Sequence, residues 1–141
     1  MNQKTLHTLE FDKILSLLEE KAVSAPGKAL CRTLEPMTEL GAIETAQAET
    51  EAALSRIRMK GELRLAGLRD VSASVKRLDV GGTLGISELY AIGTLLDLSE
   101  RARNYGAHEE AEPDPDALEA SFTALSPLPK EKRELKRCIL S

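Results

Sequence analysis

Between Leu9 and Ile57 apolar residues return every three or four positions, and prolines and glycines cut that rhythm into pieces too short for a rod. Phe11, Ile14, Leu15, Leu18 and Ala22 share one helical stripe, while Asp12, Lys13, Glu19 and Glu20 fall on the wet side. Ser24 is placed to cap a second, short helix carrying Leu30, Cys31 and Leu34. Pro26 sits early in that turn, where its missing N–H would have gone unpaired anyway. Pro36 forbids continuation, because it removes a donor and disfavours helical geometry at Glu35. A third helix then presents Ile43, Ala46, Thr50, Ala53, Leu54 and Ile57 on one side. A helix, a corner, a short helix, a stop and a longer helix require a packed helical core, so the expected class is all-α.

Leu and Ala supply most of the 42% hydrophobic content, and aromatics make up only 3%, a mixture that suits packed helices better than a β-sandwich. With 141 residues the chain has the size of one ordinary domain. Its net charge of −4 argues against a free-standing nucleic-acid binder, because such affinity comes mainly from neutralising phosphates. Cys31 and Cys138 are far apart and form no CxxC pair, and Cys31 reads as a buried reduced thiol. No run approaches the roughly 18 apolar residues of a membrane span, and no signal-peptide core follows Met1. A cytoplasmic location without membrane partners is expected.

Further along, Gly61 is placed to end the third helix, and Asp70 to cap a compact one with Val71, Val75 and Leu78 inward. Gly81-Gly82 breaks that helix. The next begins near Gly85, with Glu88 at its third position and Leu89, Ile92, Leu95 and Leu96 on its apolar face. Residues 106–117 carry Glu109, Glu110, Glu112, Asp114 and Asp116 with no cation, and read as an acidic loop between a helical core at 1–105 and a last segment at 118–141. Asp114-Pro115 reads as a cap and first helical position, and Ser126-Pro127-Leu128-Pro129 as a hinge. The final amphipathic helix stops abruptly at Ser141, as in a truncated chain. Helices are thus expected near 8–23, 26–34, 39–60, 71–79, 86–104, 115–125 and 130–139, to within about two to four residues.

Residues with catalytic potential are few, and the reading assigns no catalytic, cofactor-binding or metal-ligating residue and no small-molecule substrate. Gly27-Lys28 lacks the earlier glycine and the following hydroxyl of a phosphate-binding loop, since Ala22 and Ala29 stand there. His7 and His108 have no partner at ligand spacing. The adjacent pairs Glu19-Glu20 and Glu109-Glu110 read as solvated. A basic patch remains: Arg56, Arg58, Lys60, Arg64, Arg69, Lys76 and Arg77, interrupted only by acidic Glu62 and Asp70. It is a candidate contact for DNA or ribosomal RNA, or for the acidic loop or another domain, although no aromatics are interleaved for stacking.

The pattern A-x-S-x-x-G-K-x-L-x-x-x-L-x-P from Ala22 to Pro36, with Ile43 and Gln47-x-Glu49-Thr50-Glu51-Ala52, is similar to the start of the helical core of MutS-family proteins. The opening from Thr5-Leu6 to Leu9-Glu10-Phe11-Asp12-Lys13-Ile14-Leu15 resembles the second bacterial subfamily, endonuclease paralogues without the mismatch-reading domains. The stretch from Gly67-Leu68-Arg69-Asp70 through Arg77, Gly81 and Glu88-Leu89 continues the likeness. Gly85 departs from it, standing where the subfamily usually has a capping Ser. The resemblance implies a multi-helix, lever-type core segment, truncated before any Walker motif, in a parent that uses ATP and Mg. Such parents are associated with branched-DNA binding, suppression of recombination and splitting of stalled ribosomes. The segment itself would be structural: it would couple the ATPase to the clamp and help form a homodimer. The rival reading is a self-contained helical interaction module with no ATPase. With later core helices missing, the stripes through Leu89, Ile92 and Leu96 and through Leu135 and Ile139 are expected to be partly uncovered and to promote that dimer.

Overall fold

A computed structural model describes residues 8–107 and 115–140. Among them all regular structure is helical, in seven helices: α1 Phe11–Lys21, α2 Ala25–Arg32, α3 Leu40–Lys60, α4 Ser72–Asp79, α5 Ile86–Gly106, α6 Glu119–Thr123 and α7 Pro129–Leu140. The all-α class is therefore as expected from the sequence.

The ends of the helices follow local chemistry. Ser24 Oγ accepts the Gly27 N–H at 3.1 Å, so Gly27-Lys28 lies inside a capped helix. Glu39 opens α3 by accepting from Gly41 and Ala42, which holds its carboxyl below the usual range. Gly61 closes α3 with φ of 78°, a left-handed turn that a glycine adopts without a Cβ clash. Asp70 stands one position further out than a cap residue, since Val71 is the N-cap and the Asp70 carboxylate accepts from the Ser72 N–H at 2.8 Å. At α5 the missing Ser at Gly85 is offset from the other side: Glu88 reaches back to accept the Gly85 N–H at 3.0 Å. The Asp114 cap lies outside the described residues, and α6 is shorter than expected because Asp116 caps Leu118 N at 2.9 Å.

Helix α5 is the centre of the packing. It carries most of the buried apolar residues, Leu96, Leu98 and Ala102, with Leu98 only 2% exposed, while α3 adds Ala52. Helix α7 runs back along α5, with Leu135 and Ile139 bordering a crevice of about 130 Å³ beside Tyr90, Gly93 and Thr94. Leu96 is buried, and Leu89, Ile92, Leu135 and Ile139 are half-buried, so the stripes expected to be partly uncovered are open only in part. More apolar surface is open elsewhere. Ile14, Leu17, Leu18, Leu30, Leu34, Met37 and Leu40 are all exposed, because α1 and α2 pack on each other and leave their flanks in water. Val75 and Leu78 also face solvent, while Ser74 is the buried residue of α4, since its hydroxyl is bonded to Glu88. Cys31 is half-buried and not sealed in a core, and Cys138 is exposed.

This distribution fixes which truncations are felt. Leu98→Ala should lower the unfolding free energy by about 2–5 kcal/mol, whereas Leu17→Ala, at a 61% exposed position, should stay within about 0.5 kcal/mol at low protein concentration. Urea unfolding followed by helical circular dichroism is the check; equal losses would mean that the core has been misplaced.

Candidate functional site

The densest polar construction in the chain forms around Arg56. Its α3 position is buried, with 7% of the residue exposed, so the guanidinium must find its partners within the protein. Nε and Nη2 donate to the two oxygens of Asp116 at 2.6 and 2.9 Å, and Nη1 donates to the Gly106 carbonyl at 3.3 Å. The same cation lies 5.1 Å from the centre of the Phe122 ring, which meets Tyr105 edge-on at 5.8 Å. Lys60, one turn further on, donates to Ala107 O at 3.1 Å, and Tyr105 returns a hydroxyl to Gly61 O at 2.9 Å. Two cations of α3 thus satisfy carbonyls at the C-terminal end of α5, where positive charge is favoured. A Cβ on Gly106 would lie 2.1 Å from Phe122 Cβ, so this close approach admits only glycine.

Two smaller ionic groups flank α5. Glu88 accepts from Gly85 N, Ser74 Oγ and Arg77 Nη1, each at 3.0 Å, and these bonds, led by the Gly85 N–H, hold its carboxyl below the usual range. Lys132 of α7 reaches Asp97 at 2.6 Å and Glu100 at 2.5 Å, and Lys136 reaches Asp97 at 3.1 Å. These bonds lower the Asp97 carboxyl and raise the Lys132 ammonium. On the α1–α2 pair, Arg32 takes both oxygens of Glu19, so that residue is tied to a partner and not simply solvated, whereas Glu20 is exposed.

The seven residues of the sequence-defined basic patch do not form one surface. Arg56 is interior and Lys60 faces the end of α5. Arg77 is engaged with Glu88 on α4. Arg58, Arg64, Arg69 and Lys76 are exposed, but they are spread over α3, two positions of the 61–71 connection and α4. Arg69 lies between two shallow apolar grooves, one against α2 and one against Ile86 and Tyr90 of α5. A third cleft, of about 350 Å³, opens beside Arg56 between Val23, Ile57, Leu63, Tyr105 and Phe122. Among the described residues no group of three or more His, Cys, Asp or Glu side chains is placed to hold a metal ion. His7, His108, Glu109 and Glu110 lie outside those residues. Asp116 belongs to the acidic loop that the sequence offers as one partner of the basic patch, and Arg56 does reach it; the particular pairing was not legible, since the two residues are 60 positions apart and the local signal of Asp116 is the Leu118 turn.

The Arg56–Asp116 pair makes a pH-dependent contribution whose sign is fixed. The Arg56 guanidinium holds the Asp116 carboxyl below its ordinary value. The stabilisation is therefore present above about pH 3.9, the unfolded carboxyl value, and is lost as pH falls through the lower folded value. Asp116→Asn should cost up to about 3 kcal/mol at neutral pH by leaving a buried cation poorly paired. Denaturant melts from neutral pH down through the carboxyl range should converge for the variant and the parent chain. Curves that stay parallel to the lowest pH would refute the assignment.

No family model matches the chain, and no solved structure matches it. Curated relatives do. A protein named Endonuclease MutS2 from Agathobacter rectalis is 39% identical over 141 residues, covering 100% of this chain and 18% of the relative. A second of that name from Lachnoclostridium phytofermentans is 38% identical, with the same coverages. A third, from a Geobacillus species, is 34% identical over 99% of this chain and 18% of its own length. No helix among the described residues is long and apolar enough to cross a membrane. From end to end, this helical chain resembles a segment of the proteins named Endonuclease MutS2 and spans about 18% of their length.

Proposed function

We propose that this chain is a helical core segment of a MutS2-like endonuclease, a scaffold and coupling element that carries no catalytic centre of its own. The observation that supports this best is similarity along the entire chain to proteins several times its length. The polar side chains in its interior fit a structural role: Ser24, Arg56 and Ser74 are the buried ones, and each is bonded to a neighbouring element or cap. In this reading ATP and Mg belong to other parts of the longer protein, as do the endonuclease chemistry and the engagement of branched DNA or ribosomes, and the protein works in the cytoplasm. The joint at Arg56 favours coupling over a passive filler, because it ties α3 to the Gly106 carbonyl at the end of α5, to Asp116 ahead of α6 and to the Phe122 ring of α6. The alternative, a self-contained interaction module, predicts no nucleotide-driven change in any longer protein that contains it.

The segment also helps to form a homodimer in this reading. Support comes from the apolar flanks of α1 and α2 and the Met37–Leu40 corner, which a second copy would remove from water. Light scattering over a dilution series should show a monomer–dimer equilibrium, and Ile14→Lys with Leu17→Lys should shift it to monomer. A single monomeric species at high concentration would reject the dimer. For the catalytic assignment, calorimetric titration of the chain with Mg-ATP should give no saturable heat. Stoichiometric binding, or hydrolysis above background, would refute the scaffold reading.

A further inference from the structure

Helix α7 is held on α5 by charge more than by burial. None of residues 129–139 is buried; Lys132, Leu135 and Ile139 are half-buried and follow at steps of three and four, on one helix face. Leu135 and Ile139 form a small apolar seam with Tyr90, Gly93 and Thr94. Lys132 is the main fastening: its side chain is 15% exposed and reaches Asp97 at 2.6 Å and Glu100 at 2.5 Å. The acidic partners are 36% and 47% exposed, so dissolved ions reach these pairs and weaken them. The chain enters α7 through a strained residue. Leu128 has φ of 45°, in the left-handed region where a Cβ crowds the following carbonyl. Pro129 comes next, and a residue before proline favours extended backbone. The Leu128 side chain is exposed, so little packing of its own holds it there. Just ahead of this hinge Arg103 donates to Leu125 O at 2.6 Å, which ties the chain to α5 up to that point.

We propose that α7 is a releasable latch, held on α5 by the Lys132 ion pairs against strain at Leu128, and that it lets go as one unit while α5 stays folded. In the docked state the ion pairs fix the direction in which the chain leaves Pro127, and Leu128 turns left-handed to meet it. On release Leu128 returns to extended backbone, the strain is relieved, and the face of α5 at Gly93, Thr94 and Asp97 is uncovered. A helix of 12 residues has little stability away from its support, so release is a local unfolding and not a rigid swing. Ionic strength sets this equilibrium. It has less hold on the joint at Arg56, whose side chain is only 8% exposed. The latch does not depend on the scaffold reading above.

The test is hydrogen exchange of individual amides in the 141-residue chain, read by nuclear magnetic resonance and corrected for unfolded-peptide rates. Amides of residues 133–139 should share one opening and exchange at least about tenfold faster than those of residues 96–102. Raising NaCl from about 50 to about 500 mM should speed the α7 amides about threefold and leave residues 96–102 unchanged. Lys132→Gln should speed the α7 amides about tenfold and remove most of their salt response. Leu128→Gly, which relieves the left-handed backbone, should slow the same amides about threefold. In each variant residues 96–102 report whether the rest of the fold is intact. Exchange of α7 in step with α5 at every salt concentration would overturn the latch. So would rates graded inward from Leu140, the mark of ordinary fraying, or faster α7 exchange in Leu128→Gly.

Discussion

A buried cation governs how this chain is assembled. Arg56 sits where few of its donors can reach water, and a guanidinium in that position is tolerated only if carboxylate, carbonyl and ring surround it. Meeting that demand brings together the last turns of α3, the end of α5 and the residues from 116 to 122. The apolar core alone would not do so, since it contains few sealed side chains and is centred on α5. In a chain with so few aromatics, Phe122 and Tyr105 are both used here, which concentrates large ring surface at the joint.

The opposite end of the chain is built on another principle. Helices α1 and α2 are held by their mutual packing and by the Glu19–Arg32 pair, and their outer flanks remain in water. Ser24 caps α2, Glu39 caps α3 and Glu88 reaches back at the start of α5, so these helices are well defined even where tertiary burial is slight. Local order and global burial are therefore uncoupled: α3 has a carboxylate cap, a glycine stop and 21 residues, yet only Ala52 and Arg56 of it are buried.

What could be read in advance follows the same division. Helix existence was written in short-range signals, and Ser24, Gly61, Gly81 and Glu88 act within a few residues of themselves. The family likeness was equally visible, because it lies in a pattern over contiguous positions. Burial was read less well. Val75 and Leu78 have helical spacing but no neighbouring element covers them, and periodicity cannot report whether a partner exists. Ion pairing was legible only as a choice of partners: the acidic loop was one of several offered to the patch, and Asp116 of that loop is the partner of Arg56. A cluster of cations in sequence looks like a patch, yet three members of the 56–77 group have partners on distant or adjoining elements: Asp116, Ala107 O and Glu88. The reduction of that patch to four scattered residues is a tertiary fact.

The contact between Gly106 and Phe122 limits how the protein can drift. With the ring seated where any Cβ at position 106 would fall, the two positions are not independent characters. Because the Phe122 Cβ itself lies 2.1 Å from that point, trimming the ring makes no room; a larger residue at 106 requires the backbone at 122 to move away, and that shift takes the ring off the Arg56 guanidinium. Divergence at these sites should therefore proceed as a linked triplet of 56, 106 and 122, so that related sequences keep all three or replace them together.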